Sequence, residues 1–396
     1  MNALETSETR DYQSAIQSVL PVLAAHREAT EAGRSVAPES IAALKAAGLA
    51  RLMIPASSGG AGATLRAQVY ACSELARACP ASSWVLMVCG AHNWMSGGFS
   101  QQCRAELFDN DPNLLIPGTL ASQGQFKKTE GGWRLSGRWQ FCSGVDHSPW
   151  LLIGAGRAKD SSGGPGSLHV MLPSDDVQVD DTWHTLGMRG SGSKDVVLDD
   201  VFVPAHRAEA TGALFTGRSP HVHDHENSGL YMIPVLCSLS TQLGGTVLGM
   251  AREMLSLFIE KTRVRTDIYS GEGSGAKARR GTMQRRVAEA QGEITSAELL
   301  LGRNCDLFDE ISVAKQVVDD ETQALIRWQS SYAVELCRRA VERLYAGAGA
   351  HAAYNDSLMQ QYYRDVMMAS HHAAIDMDGA AELEGMTLLG IDPNKA

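Results

Sequence analysis

Long apolar runs are what this sequence has least of. Two stretches, Ala78–Cys103 and Asn227–Ala251, carry no Asp, Glu, Lys or Arg, yet Ser, Asn, Gln, Thr, Gly or Pro interrupt both. They read as segments buried in a protein core, not as membrane spans. Positive charge is scarce too: 35 Lys and Arg stand against 45 Asp and Glu, a net charge of −10. That balance argues against nucleic acid and anionic membranes as partners. The eight cysteines form no CxxC pair, and the opening MNALETSETRDYQ has neither a positive start nor an apolar run. Free buried thiols and a cytoplasmic location are the expectation.

A dinucleotide fingerprint is also missing. GEGSGA at 271 and GMRGSGS at 187 are the nearest candidates, and neither follows a strand and opens a helix. This excludes a nicotinamide bound in the usual doubly wound fold. The string HVHDHE places His221, His223 and His225 in a zinc-like spacing, but in a Gly/Ser/Pro-rich linker with no second cluster. No metal site is expected there.

What remains is an ordinary globular composition, 44% hydrophobic and 20% charged, over 396 residues. Three zones follow one another. Residues 1–112 are expected to be helical: SVAPESIAALKAAGL starts at Pro38 and stops at Gly48, and RAQVYACSELARACP ends at Pro80. Residues 113–215 change to short β runs (KKTEGGWRLSGRWQF, WLLIGAG, SLHVMLP, SKDVVLDDVFVP) punctuated by Gly, Ser, Asp and Pro. Such spacing predicts a small β-barrel or sandwich. Residues 216–396 return to long amphipathic helices, with Ile326, Ala333, Ala340 and Leu344 on one face and Gly347 as a stop. YSGEGSGAKARRG, 269–281, reads as a flexible basic loop. The expected fold class is α+β, in the order helical domain, β domain, helical bundle.

Four stretches are candidates for chemistry: CGAHNWMSGG, WQFCSGVDHSPW, DTWHTLGMRGSGSKDVVLDDVFVP and YYRDVMMASHHAAIDMDG. In the last, Asp365, Met368, His372 and Ile375 recur at spacings of three and four, which predicts one helix carrying two adjacent histidines. A lone histidine on an apolar helix is usually a satisfied core residue, so these need a reason to be more.

The third stretch resembles the β-domain segment of the acyl-CoA dehydrogenase fold, and the zone order matches that fold over nearly the whole chain. Within it, W-x-F-x-SG-x-DH-x-x-W and the terminal YRD…HH resemble the oxygenase components of two-component flavin monooxygenases. These include hydroxyphenylacetate and secosteroid-phenol hydroxylases and relatives acting on indoles and polyketides. The resemblance implies hydroxylation of an aromatic small molecule, a phenol or an indole, through a flavin hydroperoxide. Reduced flavin (FMNH2 or FADH2) would come from a separate NAD(P)H:flavin reductase and react with O2.

The same resemblance assigns roles. His372 faces the flavin and stabilises the hydroperoxide; His371, one step round the helix, reads as structural, and which of the two faces the flavin stays open. Ser143 lies near flavin N5. His92 sits on the substrate side, where it holds or deprotonates a phenol. Trp139, Phe141 and Trp94 would be aromatic walls, with Met95 beside the substrate and Trp150 chiefly a core residue. Gly144 and the loop of Arg189, Gly190 and Ser191 would hold flavin, with backbone N–H groups available to a phosphate. Arg263 and Arg265 would reach a neighbour's cofactor in a homotetramer built as a dimer of dimers. Gln360 and Gln361 depart from the family's pattern, so the choice of FMN or FAD stays open. An apolar, aromatic lining flanked by Arg138 and Arg189 suits a compact phenol or indole better than a coenzyme A thioester. The alternatives are an FAD-dependent acyl-CoA dehydrogenase needing a base such as Glu384, an N-hydroxylase of an amino sugar, and a silent binding protein with a decayed pocket.

Overall fold

The computed structural model describes residues 2–159, 164–265 and 277–391. Much of the loop expected at 269–281 lies outside the described residues. Seven helices come first: α1 (Ser7–Asp11), α2 (Gln13–Ala25), α3 (Arg27–Gly33), α4 (Pro38–Ala46), α5 (Leu65–Ala76), α6 (Pro80–Met95) and α7 (Gln101–Phe108). Pro80 does more than end α5. It is the first residue of α6, where its fixed φ and missing N–H cost nothing. Every residue of α6 is buried, which explains the charge-free stretch around it. Among the described residues no helix is long and apolar enough to cross a membrane.

The centre is β: β1 (Gly118–Thr129), β2 (Gly132–Cys142), β3 (Trp150–Arg157), β4 (Ser167–Pro173), β5 (Gln178–Asp180), β6 (Lys194–Pro204) and β7 (Ala208–Ala210). They form one sheet in the order β5-β6-β2-β1-β3-β4-β7, antiparallel except for β1 beside β3. Phe126, Trp139, Ile153, Val170 and Val196, from five strands, share one apolar cluster. Of the expected barrel or sandwich, the strands form one mixed sheet around one core. Trp139 is its largest member. Its Nε1–H donates to Gly154 O, and a Cβ on Gly124 would lie 1.9 Å from its ring. Truncating such a residue to Ala costs about 3–5 kcal/mol.

Six helices follow: α8 (Thr211–Phe215), α9 (Val235–Val264), α10 (Gly281–Ala314), α11 (Asp320–Ala348), α12 (Leu358–Ala369) and α13 (Met377–Leu388). The charge-free Asn227–Ala251 stretch supplies the buried first half of α9. α11 runs through Gly347, and Gly349, at φ +77°, is the residue that ends it. The predicted continuous helix through the two histidines does not form. α12 stops at Ala369, and His372 instead caps a 3-10 turn, Ala373–Ile375, accepting the Ala374 N–H on Nδ1. A histidine that caps a turn is pinned in direction, which a mid-helix histidine is not.

Candidate active site

The two helical zones and the sheet enclose a cavity of about 630 Å3, within the range of small-molecule sites. α6 supplies a ruler along it. Trp84, Val88 and His92 recur every four residues, so they share one face, and Trp84 and His92 stand about 12 Å apart along the axis. The Trp84 end also holds Ser143, Phe141 and His372. The His92 end holds Thr119, Leu120 and Phe215, whose ring packs on His169, itself hydrogen-bonded to Leu120 O.

At the Trp84 end, the loop after β2 meets the loop before β6. Gly144 N–H donates to Ser191 O and stitches them together. Three buried hydroxyls then form a chain whose direction can be worked out. Ser191 donates to Met188 O at 2.8 Å, since a carbonyl only accepts. Its proton is thus spent, so Ser193 is the donor in the 2.7 Å contact with Ser191. Ser193 is spent in turn, so Ser143 donates to Ser193, also at 2.7 Å. Trp84 Nε1–H donates to Ser143 at 3.2 Å. Ser143 therefore presents an acceptor to the cavity, not a proton.

Two of the cavity histidines, His92 and His372, are neutral and opposite in sense. His92 Nδ1 lies 2.9 Å from Ile116 O and must donate to it, which leaves Nε2 as an acceptor. His372 accepts on Nδ1, which leaves Nε2–H as a donor. Its ring meets Trp84 edge-on at 5.8 Å. Burial pushes both imidazoles down to about 4. His372 is half-buried where it lines the cavity, and the solvent lost on its protein side disfavours the charged form. Of the two tasks expected of His92, holding a phenol suits a weak, neutral acceptor and deprotonating it does not.

The loop that carries Met188 is fixed from behind. Asp365, wholly buried on α12, accepts Met188 N–H at 2.6 Å, and burial pushes its carboxyl up to about 7. Phe141 (φ +66°) and Met188 (φ +52°) are non-glycine residues in the left-handed region, and both line the cavity.

Several expected site residues lie elsewhere. Trp139 is in the sheet core. The register of β2 against β6 slips between Trp139 and Cys142, so Trp139 faces inward while Phe141, 57% exposed, faces the cavity mouth. Trp94 donates Nε1–H to Leu230 O and, with Met95, lines a separate crevice. They form no wall for substrate. Gly144 and Gly190 act by permitting close approach: a Cβ on Gly190 would lie 2.3 Å from Thr30. Arg189, between Met188 and Ser191, leaves its Nε buried without a partner. Arg263 is exposed near the end of α9. Arg265 donates to Ala348 O. Arg138 lies on the sheet surface, paired with Asp180 and Asp195. His371, expected to be structural, bonds Met367 O and also lines the cavity. Glu384 sits on α13, and no Asp or Glu lines the cavity among the described residues, so the base a dehydrogenase needs is absent from it. His221 of the HxHxH string pairs with Glu209 and Asp224, and His225 with Ser57 and Gly97 O.

Sequence reading missed Trp84, Trp183, Ser191 with Ser193 as a hydroxyl chain, and Arg327 on α11. The four-residue recurrence of Trp84, Val88 and His92 was the available signal. Nothing local marks Arg327, which sits in an amphipathic pattern where arginine reads as solvent-facing.

Residues 8–102 match the acyl-CoA dehydrogenase N-terminal domain and residues 242–377 the acyl-CoA dehydrogenase C-terminal domain. The chain is 31% identical to the oxygenase component of an FADH2-dependent resorcinol hydroxylase of Rhizobium sp., over 92% of this chain and 90% of that protein. It is 30% identical to the oxygenase component of p-hydroxyphenylacetate 3-hydroxylase of Acinetobacter baumannii, over 96% of this chain and 89% of the other. The structure of XiaF from Streptomyces sp. in complex with FADH2 and glycerol superposes with a TM-score of 0.91 at 27% identity, covering 98% of each chain. At these identities, over so much of both chains, the protein belongs to the family of flavin-dependent hydroxylase oxygenase components built on the acyl-CoA dehydrogenase fold.

Proposed function

We propose that this chain is the oxygenase component of a two-component system that hydroxylates an aromatic small molecule with O2 and reduced flavin, FADH2, delivered by a separate reductase. The observation that carries the reading is the pair of neutral imidazoles of opposite polarity, His92 buried and His372 half-buried, in a cavity that holds no carboxylate among the described residues. Acyl-CoA dehydrogenation needs a carboxylate base there; oxygen chemistry needs dryness and uncharged, fixed hydrogen-bond partners.

The residues fit a flavin. Phe141, 57% exposed, leaves apolar surface at the mouth for a ring system to cover. Arg189 and the Gly190–Ser191 turn leave an unpaired donor beside it. When bound, reduced flavin supplies two electrons, so that one oxygen atom enters an aromatic C–H bond and the other leaves as water.

The chain's own groups do the rest. Ser143 would hold the flavin edge near N5, offering an acceptor there. His372 holds a proton on Nε2 and offers it without adding charge. His92 Nε2 accepts the ring hydroxyl, or an indole N–H, and fixes the ring. The apolar walls at Val88, Leu236 and Leu239 exclude water. Arg263 lies on a face that a dimer of dimers would cover.

Anaerobic loading with FADH2, followed by mixing with oxygen and a panel of phenols and indoles, tests this. Hydroxylated product should form, and His372→Asn should divert more of the electrons to hydrogen peroxide. If every compound gives peroxide alone, or an acyl-CoA reduces bound FAD, the reading fails.

A further inference from the structure

Arg327 is the one permanently charged side chain in the cavity wall among the described residues. Its position follows from α11. Gln323, one turn before it, accepts from Cys237 of α9 through its backbone oxygen, and Ser330, nearly one turn after it, bonds Thr241 of α9 at 2.9 Å. Arg327 lies between these contacts on the same helix face, directed to where Leu236 and Leu239 of α9 line the cavity.

Half-buried Arg27, Arg265 and Arg286 bond backbone carbonyls, and three other enclosed arginines have carboxylate partners. Arg66 pairs with Asp306 and Asp309, Arg104 with Asp224, and Arg364 with Glu31. Arg327 has none among the described residues, and its Nε is buried without any hydrogen bond. An unpaired guanidinium in an apolar wall is costly unless something anionic arrives. α9 also starts in this wall without a side-chain cap, so the local field is positive on a second count. Phe215, packed on His169, lines the same cavity as Arg327 and His92.

We propose that Arg327 is the substrate-recognition cation, and that the substrate is an aromatic acid whose carboxylate pairs with Arg327 while its ring hydroxyl meets His92. This rests on the aromatic-hydroxylase reading above. A planar guanidinium takes a carboxylate through two parallel N–H donors, so it fixes orientation as well as charge. With one polar anchor at His92 and a second at Arg327, the ring between them cannot rotate freely.

The test compares hydroxybenzoates and 4-hydroxyphenylacetate with their amides, in the wild type, Arg327→Met and Arg327→Lys. The wild type should favour acids over amides in kcat/KM by at least about 30-fold, as for one enclosed charge pair. Arg327→Met should bring that ratio close to one, and Arg327→Lys should fall between. Benzoate and benzamide titrated into the flavin-free protein, followed by tryptophan fluorescence, should show the same ordering without turnover.

If neutral phenols are hydroxylated but acids are not preferred, the Arg327 assignment is overturned and the hydroxylase reading stands. If Arg327→Met weakens FADH2 binding while the acid/amide ratio survives, Arg327 serves the flavin phosphate and the assignment is again overturned. If no phenol of either kind is hydroxylated, the hydroxylase reading fails. In that case the benzoate/benzamide comparison still decides whether Arg327 selects an aromatic acid.

Discussion

Ser193→Ala should change which oxidation state of flavin the protein prefers. In the wild type the chain Ser143→Ser193→Ser191→Met188 O consumes the Ser143 proton and leaves its oxygen facing the cavity. Reduced flavin carries N5–H, a donor, whereas oxidised flavin has a bare N5 that accepts. With N5 at Ser143, as proposed, an acceptor there favours the reduced form. Removing the Ser193 hydroxyl deletes two hydrogen bonds, at about 1 kcal/mol each, and strands the Ser143 O–H among buried groups. That proton then turns to the cavity, so a matched pair with N5–H becomes two opposed donors. Losing one hydrogen bond of about 1–1.5 kcal/mol should shrink the ratio of FAD to FADH2 dissociation constants about tenfold. The assay is tryptophan fluorescence titration with FAD in air and with FADH2 under anaerobic conditions. Ser193→Thr, which keeps the hydroxyl, should behave like the wild type. An unchanged ratio in folded Ser193→Ala, or a Thr variant that matches Ala, would refute the deduced direction of the chain.

Other outcomes follow from burial and close packing. His92 should not titrate in the working range, because burial holds it near 4; a break near pH 6.5 in kcat/KM for an O-alkylated, non-ionising aromatic substrate would contradict this. His92, His169 and His372 are all pushed down to about 4, so the stability they contribute is complete above about pH 6.5 and is lost as pH falls through about 4. Asp365, pushed up to about 7 from 3.8, acts in the opposite sense: its contribution is complete below about pH 3.8 and is lost as pH rises through 7. Urea midpoints should rise from pH 4.5 to 6.5 in the wild type and rise more steeply in Asp365→Asn, which keeps an acceptor for Met188; an equal slope in the two would count against the buried carboxyl. Gly190→Ala should cost about 1–3 kcal/mol, because the new Cβ meets Thr30 at 2.3 Å and Ala81 at 2.9 Å; an unshifted urea midpoint would show that the α3 contact yields freely.

The zone order was legible because each zone has its own period. The charge-free stretches became buried helices for the reason that made them visible: no charge could be left in those positions. Failures cluster where tertiary contacts decide. A regular strand would put Trp139 and Phe141 on one face, and no residue pattern announces the slip in register that separates them. The Met/Ala composition around His372 favours a continuing helix, yet the chain breaks after Ala369. Resemblance pointed to His92 and Ser143, which line the cavity, while their proton directions needed coordinates. Arg327 had no local signature, since its significance lies in what does not face it.

A hydroxylase of this family that releases peroxide would be its own nearest target. All eight cysteines of this chain are free and buried, and burial pushes every one of their thiols upward. Peroxide attacks thiolate, not thiol, so these sulfurs are poor sites for sulfenic acid formation as long as the fold is intact. The packing that builds the core thus also sets the catalyst's working lifetime. Oxidative wear should begin with unfolding, and thiol loss under peroxide should track the population of open chains rather than the number of turnovers.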